Sequence, residues 1–475
     1  MKYKSIKINA ILNIIYTLLN MLFPIITFPY VSRVLCVDLL GKVNFYTNIS
    51  NYAIMLASLG LSTYGIRAVA RVRNNKDELS KTTQELLTLN MFATIIVVAL
   101  LMFSVLFVPK FKTDFLLLVL NCFLILSAPL GMNWLYSGLE QYSYITKRAI
   151  VFKTIALIAV FIFVHSEQDY IIYATILIIS SVASYICNFI YAFKFIQYKR
   201  IKYNYKRHIK PMLILFASIL AINVYTHLDT IMLGFINGDQ EVGLYTTAVY
   251  VKTALLSMVN AISAVILPRI SNYISEGKND AVESVLKKSI SVIMVITIPI
   301  TIFFIAQAKN VIFILGGEQY LGAVVCMQII MPVLLISGFS NIMGNQILIP
   351  LGKERYFMKA VICGAVADLV LNIITMPKLG CIGAAISTLI AEFVQMSIQF
   401  YYSKDYLLNN IQIKEILKII ISTAISTVMM LYVDKFIRLN ILVTIIILFL
   451  VYTMCLCVSL FLLNFKRLKV KNFFK

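Results

Sequence analysis

Six ionisable side chains sit inside or at the edge of long apolar runs, where charge is costly. Lys252, Lys153 and Arg33 are the cations; Asp229, Asp368 and Glu392 are the acids. An ionisable group at membrane depth is a functional candidate by default. A lysine or arginine there can hold an anion. A buried acid pairs with a base or carries a proton. Lys252 lies deepest, about 15 Å into its run at 1.5 Å per residue. Lys153 is one to two turns from the nearer end, so snorkelling explains it as well as function does. Arg33 ends its run, where a surface anchor is the competing reading.

Neutral polar residues add a second pattern. Asn9, Asn13, Asn20 and Thr27 fall within about 40° of one another on a helix, and Tyr16 joins them. Asn223, Thr226, His227 and Thr230 form a similar face, with Asp229 on its flank. A polar stripe in a lipid-embedded helix faces protein or a water-filled cavity. Two such helices would line a cleft; hydrogen bonding between helices is the alternative.

Soluble-enzyme chemistry has no foothold. There is no Walker loop, and Gly316-Gly317 lacks a phosphate loop's context. The eight cysteines contain no CxxC pair and the three histidines are scattered. Neither a metal site nor a disulfide framework is expected. We expect a transporter that needs no cofactor and is not an enzyme.

The elements that position these residues follow from composition. The 475 residues are 60% hydrophobic and 13% charged, with a mean hydropathy of +0.88. That excess of apolar residues demands a bilayer. About 20 apolar residues make a span. This template predicts an all-α membrane protein of about 14 spans, near 9–32, 43–66, 84–108, 115–137, 147–164, 170–193, 211–236, 242–267, 287–308, 320–350, 356–376, 380–402, 414–433 and 440–463. The tenth is overlong and is expected to break near Pro332 or Gly338. The basic head and long apolar body of the first span read as a retained helix, not a signal peptide.

The formal net charge of +21 belongs to short loops and termini. It therefore reads as topology and not as nucleic-acid binding. The densest cluster, KFIQYKRIKYNYKRHIK over 194–210, lies between the sixth and seventh spans. The positive-inside rule places it, with both termini, in the cytoplasm. Outer loops then carry few cations, among them Lys42, Lys110 and Lys112. They are too short for a catalytic domain, which argues against a membrane polymerase or ligase.

The basic linker also divides two similar halves. Aligning Gly41 of VDLLGKVNFYTN with Gly243 of GDQEVGLYTTAV also aligns Arg67 with Arg269. A duplicated six-helix unit follows, with parallel copies. We expect an N-lobe over 1–200, a C-lobe over 201–410, and a C-terminal pair of spans with a basic tail over 411–475.

Several segments resemble a known family: FPYVSRVL with LGKVNF (Phe28 to Phe45), ASLGLSTYGIRAVAR (Ala57 to Arg71), NWLYSGLEQYSYIT (Asn133 to Thr146), LDTIMLGF with EVGLYTTAV (Leu228 to Val249), LPRIS (Leu267 to Ser271) and PLGKER (Pro350 to Arg355). In this order they resemble Wzx-type polysaccharide repeat-unit flippases of the multidrug/oligosaccharidyl-lipid/polysaccharide (MOP) exporter superfamily. The resemblance implies two six-helix lobes around a central cavity opened alternately to each side, in a bacterial inner membrane. It implies an undecaprenyl-diphosphate-linked oligosaccharide as substrate and H+ or Na+ as coupling ion. Capsule, O-antigen or exopolysaccharide synthesis follows, with membrane lipids, a polysaccharide polymerase and a chain-length regulator as partners. On this reading Lys252, Arg33 and Lys153 serve the diphosphate; Asn13, Asn20 and Asn223 serve the sugar. Asp229, Asp368 or Glu392 takes the coupling cation. A cation-coupled multidrug exporter and a lipid II flippase of the same superfamily are the alternatives.

Overall fold

The structure, a computed structural model, describes residues 23, 26–198, 203–408, 410–437 and 439–463; the side chains of 217–227, 264, 265, 275 and 279 lie outside that description. The described residues form helices and no strand. Nine of these helices are long and apolar enough to cross a membrane, or ten when one bent pair is counted as a span. The chain is an all-α membrane protein. The chain divides into two compact units, Met1–Gly243 and Leu244–Lys475.

The first unit begins with a helical end of the first span, residues 26–34. Helix α1 (Val37–Ser58) follows, then α2 (Leu61–Val72), α3 (Lys76–Ser104), the short α4 (Pro109–Thr113), α5 (Phe115–Ser127), α6 (Asn133–Gly138), α7 (Tyr142–Phe163), α8 (Tyr170–Ala192) and α9 (Lys206–Ile236). The expected second span is not straight. It bends by 41° between α1 and α2, because Leu59 and Gly60 adopt φ of 47° and 81°. A Cβ on Gly60 would lie 2.7 Å from both Met212 O and Phe216 N. The glycine thus supplies the left-handed turn and lets α9 approach. Helix α3 starts where Asn75 accepts from the backbone N–H groups of Asp77 and Glu78, an N-cap reinforced by two first-turn acids.

The second unit holds most of α10 (Asp239–Ser275), then α11 (Asn279–Ala306), α12 (Ala308–Gly316), α13 (Ala323–Ile330), α14 (Val333–Asn341) and a π-helical segment, Ile342–Leu348. The overlong tenth span carries a two-residue turn at Met331 and Pro332 but still forms a single apolar span, Ala323–Leu348, and Gly338 lies inside α14. A Cβ on Gly338 would sit 3.0 Å from Ile293, so this glycine permits tight packing on α11. Helix α15 (Glu354–Leu408) is two legs joined at Gly380, whose φ is 54°. Helices α16 (Ile413–Asp434) and α17 (Ile441–Leu462) form a hairpin packed on α11 and α12. Phe303, Met430, Leu448 and Tyr452 fill that contact, and the Tyr452 hydroxyl donates to Pro299 O at 2.8 Å.

Candidate functional site

The first unit places its candidates along one contact. The end of the first span lies beside α7: the Tyr30 hydroxyl donates to Val164 O at 2.7 Å, and its ring meets Phe161 at 4.6 Å. Seven residues earlier, Phe23 lies under Lys153 Nζ at 5.5 Å. Lys153 is half-buried and faces the first span. The two helices run in the same direction. Arg33 is exposed and lies ten residues beyond Phe23. Arg33 and Lys153 are thus roughly 15 Å apart along the axis at 1.5 Å per residue. The two cations therefore sit at different depths along the contact.

Asn13 and Asn20 lie outside the described residues, as does the side chain of Asn223. Thr27, of the same stripe, is buried and bonds its own helix at Phe23 O, 3.0 Å. Asp229 of α9 is 4% exposed.

The second unit orders a polar stripe on α10. Tyr245, Lys252 and Ser263 fall within about 20° of one another at 3.6 residues per turn. The Tyr245 hydroxyl meets Thr388 Oγ1 at 3.1 Å. Ser263 Oγ accepts from Gln346 Nε2 at 2.9 Å, while Gln346 Oε1 accepts from Ser289 at 2.6 Å. The stripe therefore turns toward the second leg of α15 at one end and the π-helical segment at the other. Half-buried Lys252 lies between them and makes no hydrogen bond or ion pair with the described residues.

The two legs of α15 are antiparallel, with their register fixed at Gly380. Thr375 Oγ1 donates to Gly383 O at 3.1 Å and meets Ser387 Oγ at 2.9 Å. A Cβ on Gly364 would lie 3.2 Å from Ala391 O. Asp368 falls between these crossings and Glu392 follows Ala391. The acids lie within about one helical turn along the hairpin, 1% and 7% exposed. Thr388 and Glu392 are one turn apart, so Glu392 shares the flank that Tyr245 touches.

Sequence reasoning missed two groups. Ser340 donates to Gln399 at 2.7 Å and accepts from Gln395 at 3.0 Å, which joins α14 to the second leg of α15. More telling is Glu85, which is fully buried at the second position of the predicted third span. It accepts from Arg207 Nη2 at 2.6 Å, His208 Nε2 at 2.8 Å and the Asn204 amide at 2.7 Å. His208 Nδ1 accepts from the Tyr64 hydroxyl at 2.8 Å. Nearby, Ser80 and Gln84 take both backbone groups of Gln197. The central basic linker is thus latched on α3. The only sequence signal was Glu85 itself, an acid at the membrane edge facing a run of bases.

The comparisons with known proteins agree with this architecture. Residues 6–274 match the family described as polysaccharide biosynthesis protein. A protein of Escherichia coli (strain K12), named as an O-antigen transporter, is 24% identical over 409 residues, covering 84% of this chain and 98% of its own. Among solved structures, the lipid II flippase MurJ in an inward closed conformation superposes with a TM-score of 0.74 at 17% identity, covering 95% of this chain and 98% of that one. An inward-facing multidrug resistance MATE family transporter of the MOP superfamily gives 0.64 at 14% identity, covering 83% and 95%. The family match over more than half of its length places the chain: it belongs to the polysaccharide biosynthesis protein family.

Proposed function

We propose that this protein is a flippase that moves an undecaprenyl-diphosphate-linked oligosaccharide from the inner to the outer leaflet by alternating access. It does so in a bacterial cytoplasmic membrane, with both termini in the cytoplasm, for O-antigen, capsule or exopolysaccharide synthesis. The observation that carries this reading is the E. coli relative named as an O-antigen transporter, which aligns over nearly its whole length.

The physics of the substrate supports it. A diphosphate and many hydroxyls would be stranded in bare lipid. Lys252 serves the diphosphate in the second unit. Arg33 and Lys153, separated along their contact, serve it in succession in the first. Asn13, Asn20 and Asn223 exchange hydrogen bonds with the sugar. Asp229, Asp368 or Glu392 takes up H+ or Na+. The halves joined by the basic linker rock to open each side in turn, and the α16–α17 hairpin offers the lipid tail a groove.

The test is the lipid-linked sugar pool of a deletion strain, measured by mass spectrometry, with leaflet location probed by an outside-only glycosidase. Complete units trapped inside are expected. Units that reach the outside unpolymerised would point to a polymerase. An unchanged pool, with altered drug sensitivity, would favour the multidrug reading suggested by the MATE fold neighbour.

A further inference from the structure

The two glycines that align in the internal repeat touch each other. A Cβ on Gly41 would fall on the carbonyl oxygen of Asp239, and one on Gly243 would fall on that of Val37. Each glycine thus packs on the carbonyl four residues before its counterpart. The first turns of α1 and α10 cross backbone to backbone at the two glycines, with the Val37 side chain alongside Gly243, as small residues allow.

The short helix α4 closes over this crossing. Lys110 Nζ donates to Asp239 Oδ1 and to Gly234 O, both at 2.6 Å, and lies 4.2 Å over the Phe45 ring. The Tyr46 hydroxyl donates to Lys110 O at 3.1 Å. Phe235 packs against Phe45 and Phe111 at 5.1 and 5.8 Å. Lys42 and Asp114 add a second ion pair at 2.8 Å. In the proposed orientation all these residues lie at the outer face.

We propose that α4 is a clasp: Lys110 holds the α9–α10 turn against α1, and releasing it opens the outer end once in each transport cycle. This deepens the flippase reading and rests on it. Two features suit a contact made to break. At Gly41 and Gly243 the seam is largely backbone on backbone, so few side chains interlock there, and the Phe45 contacts with Gly234 and Phe235 are the ones that part with it. The ion-pair side chains remain 19% and 18% exposed, so water is at hand to take over when they part. A fully buried pair would strand both charges.

The test uses the full chain with its native cysteines replaced and a single Val37→Cys reporter, tucked beneath the clasp at 4% exposure in the parent residue. A membrane-impermeant maleimide is applied to intact cells. Lys110→Glu should raise the labelling rate at least several-fold. The swap Lys110→Glu with Asp239→Lys should return it near the parent value. Should Lys110→Glu fail to accumulate, Lys110→Gln is read in the same way. Unchanged labelling, a swap that does not restore protection, or labelling only in inverted vesicles would each overturn the clasp. If labelling moves as expected while the lipid-linked pool does not, the clasp stands and the flippase reading falls.

Discussion

Charged side chains in this protein divide into those the fold neutralises and those it leaves available. Glu85 belongs to the first kind, with Arg207 and His208 both on one of its oxygens. Removing the Glu85 charge weakens the acceptor of the buried His208 and of the Asn204 amide, while Arg207, about a third exposed, can turn to water. Glu85→Gln should therefore lower stability by about 2–3 kcal/mol, read as a fall in thermal midpoint in detergent. Burial pushes His208 below the usual imidazole value, more than Glu85 pulls it up, and neighbouring Arg207 adds to the depression. The unfolded chain then binds the extra proton first, so stability falls as pH drops below about 6.5. His208→Gln should flatten that slope, which a midpoint series from pH 8 to 5 would reveal. Lys252, with no ion pair among the described residues, is of the second kind. Lys252→Ala should reduce transport by about 10- to 100-fold, the worth of a hydrogen bond to a charged group, and Lys252→Arg should retain most of it. Normal complementation by Lys252→Ala would remove the assignment.

At the scale of elements, apolar run length and loop charge made most helices legible, because both are linear in sequence. Gly41 and Gly243 stood out in the sequence because they align in the expected repeat, and the structure places them in contact. The bend after α1 was not legible: Gly60 stands in a run hydrophobic enough to pass as one straight span. Its φ of 81° and the 2.7 Å approach of α9 are properties of a neighbour distant in sequence. Gly60→Ala meets both the strained backbone and that neighbour. It should cost about 1–3 kcal/mol and lower the amount of folded protein in the membrane, while Ala57→Gly, on the straight part of α1, should cost about 1 kcal/mol or less. Equal behaviour of the two variants would mean that the bend is not needed. Glu85 was missed for a related reason, since only the docked linker shows what it faces.

At the scale of the molecule, the acids are shared unevenly. The first unit carries Asp229, whereas the second holds Asp368 and Glu392 within about one turn on the α15 hairpin. A cation entering an apolar site has to be met by enough carboxylate to offset its desolvation. Two acids in one hairpin meet that need better than one. The hairpin is also where Tyr245 of the Lys252 stripe makes contact, so a cation there would alter the field at the proposed diphosphate lysine. Coupling should accordingly reside in α15. Asp368→Asn and Glu392→Gln should each flatten the dependence of transport on pH or Na+, measured as the rate of outer-leaflet appearance across a gradient series. Asp229→Asn should change the rate but keep the dependence. The reverse pattern would move the coupling ion to the first unit. It would also leave the acids of α15 as partners within the hairpin and not carriers.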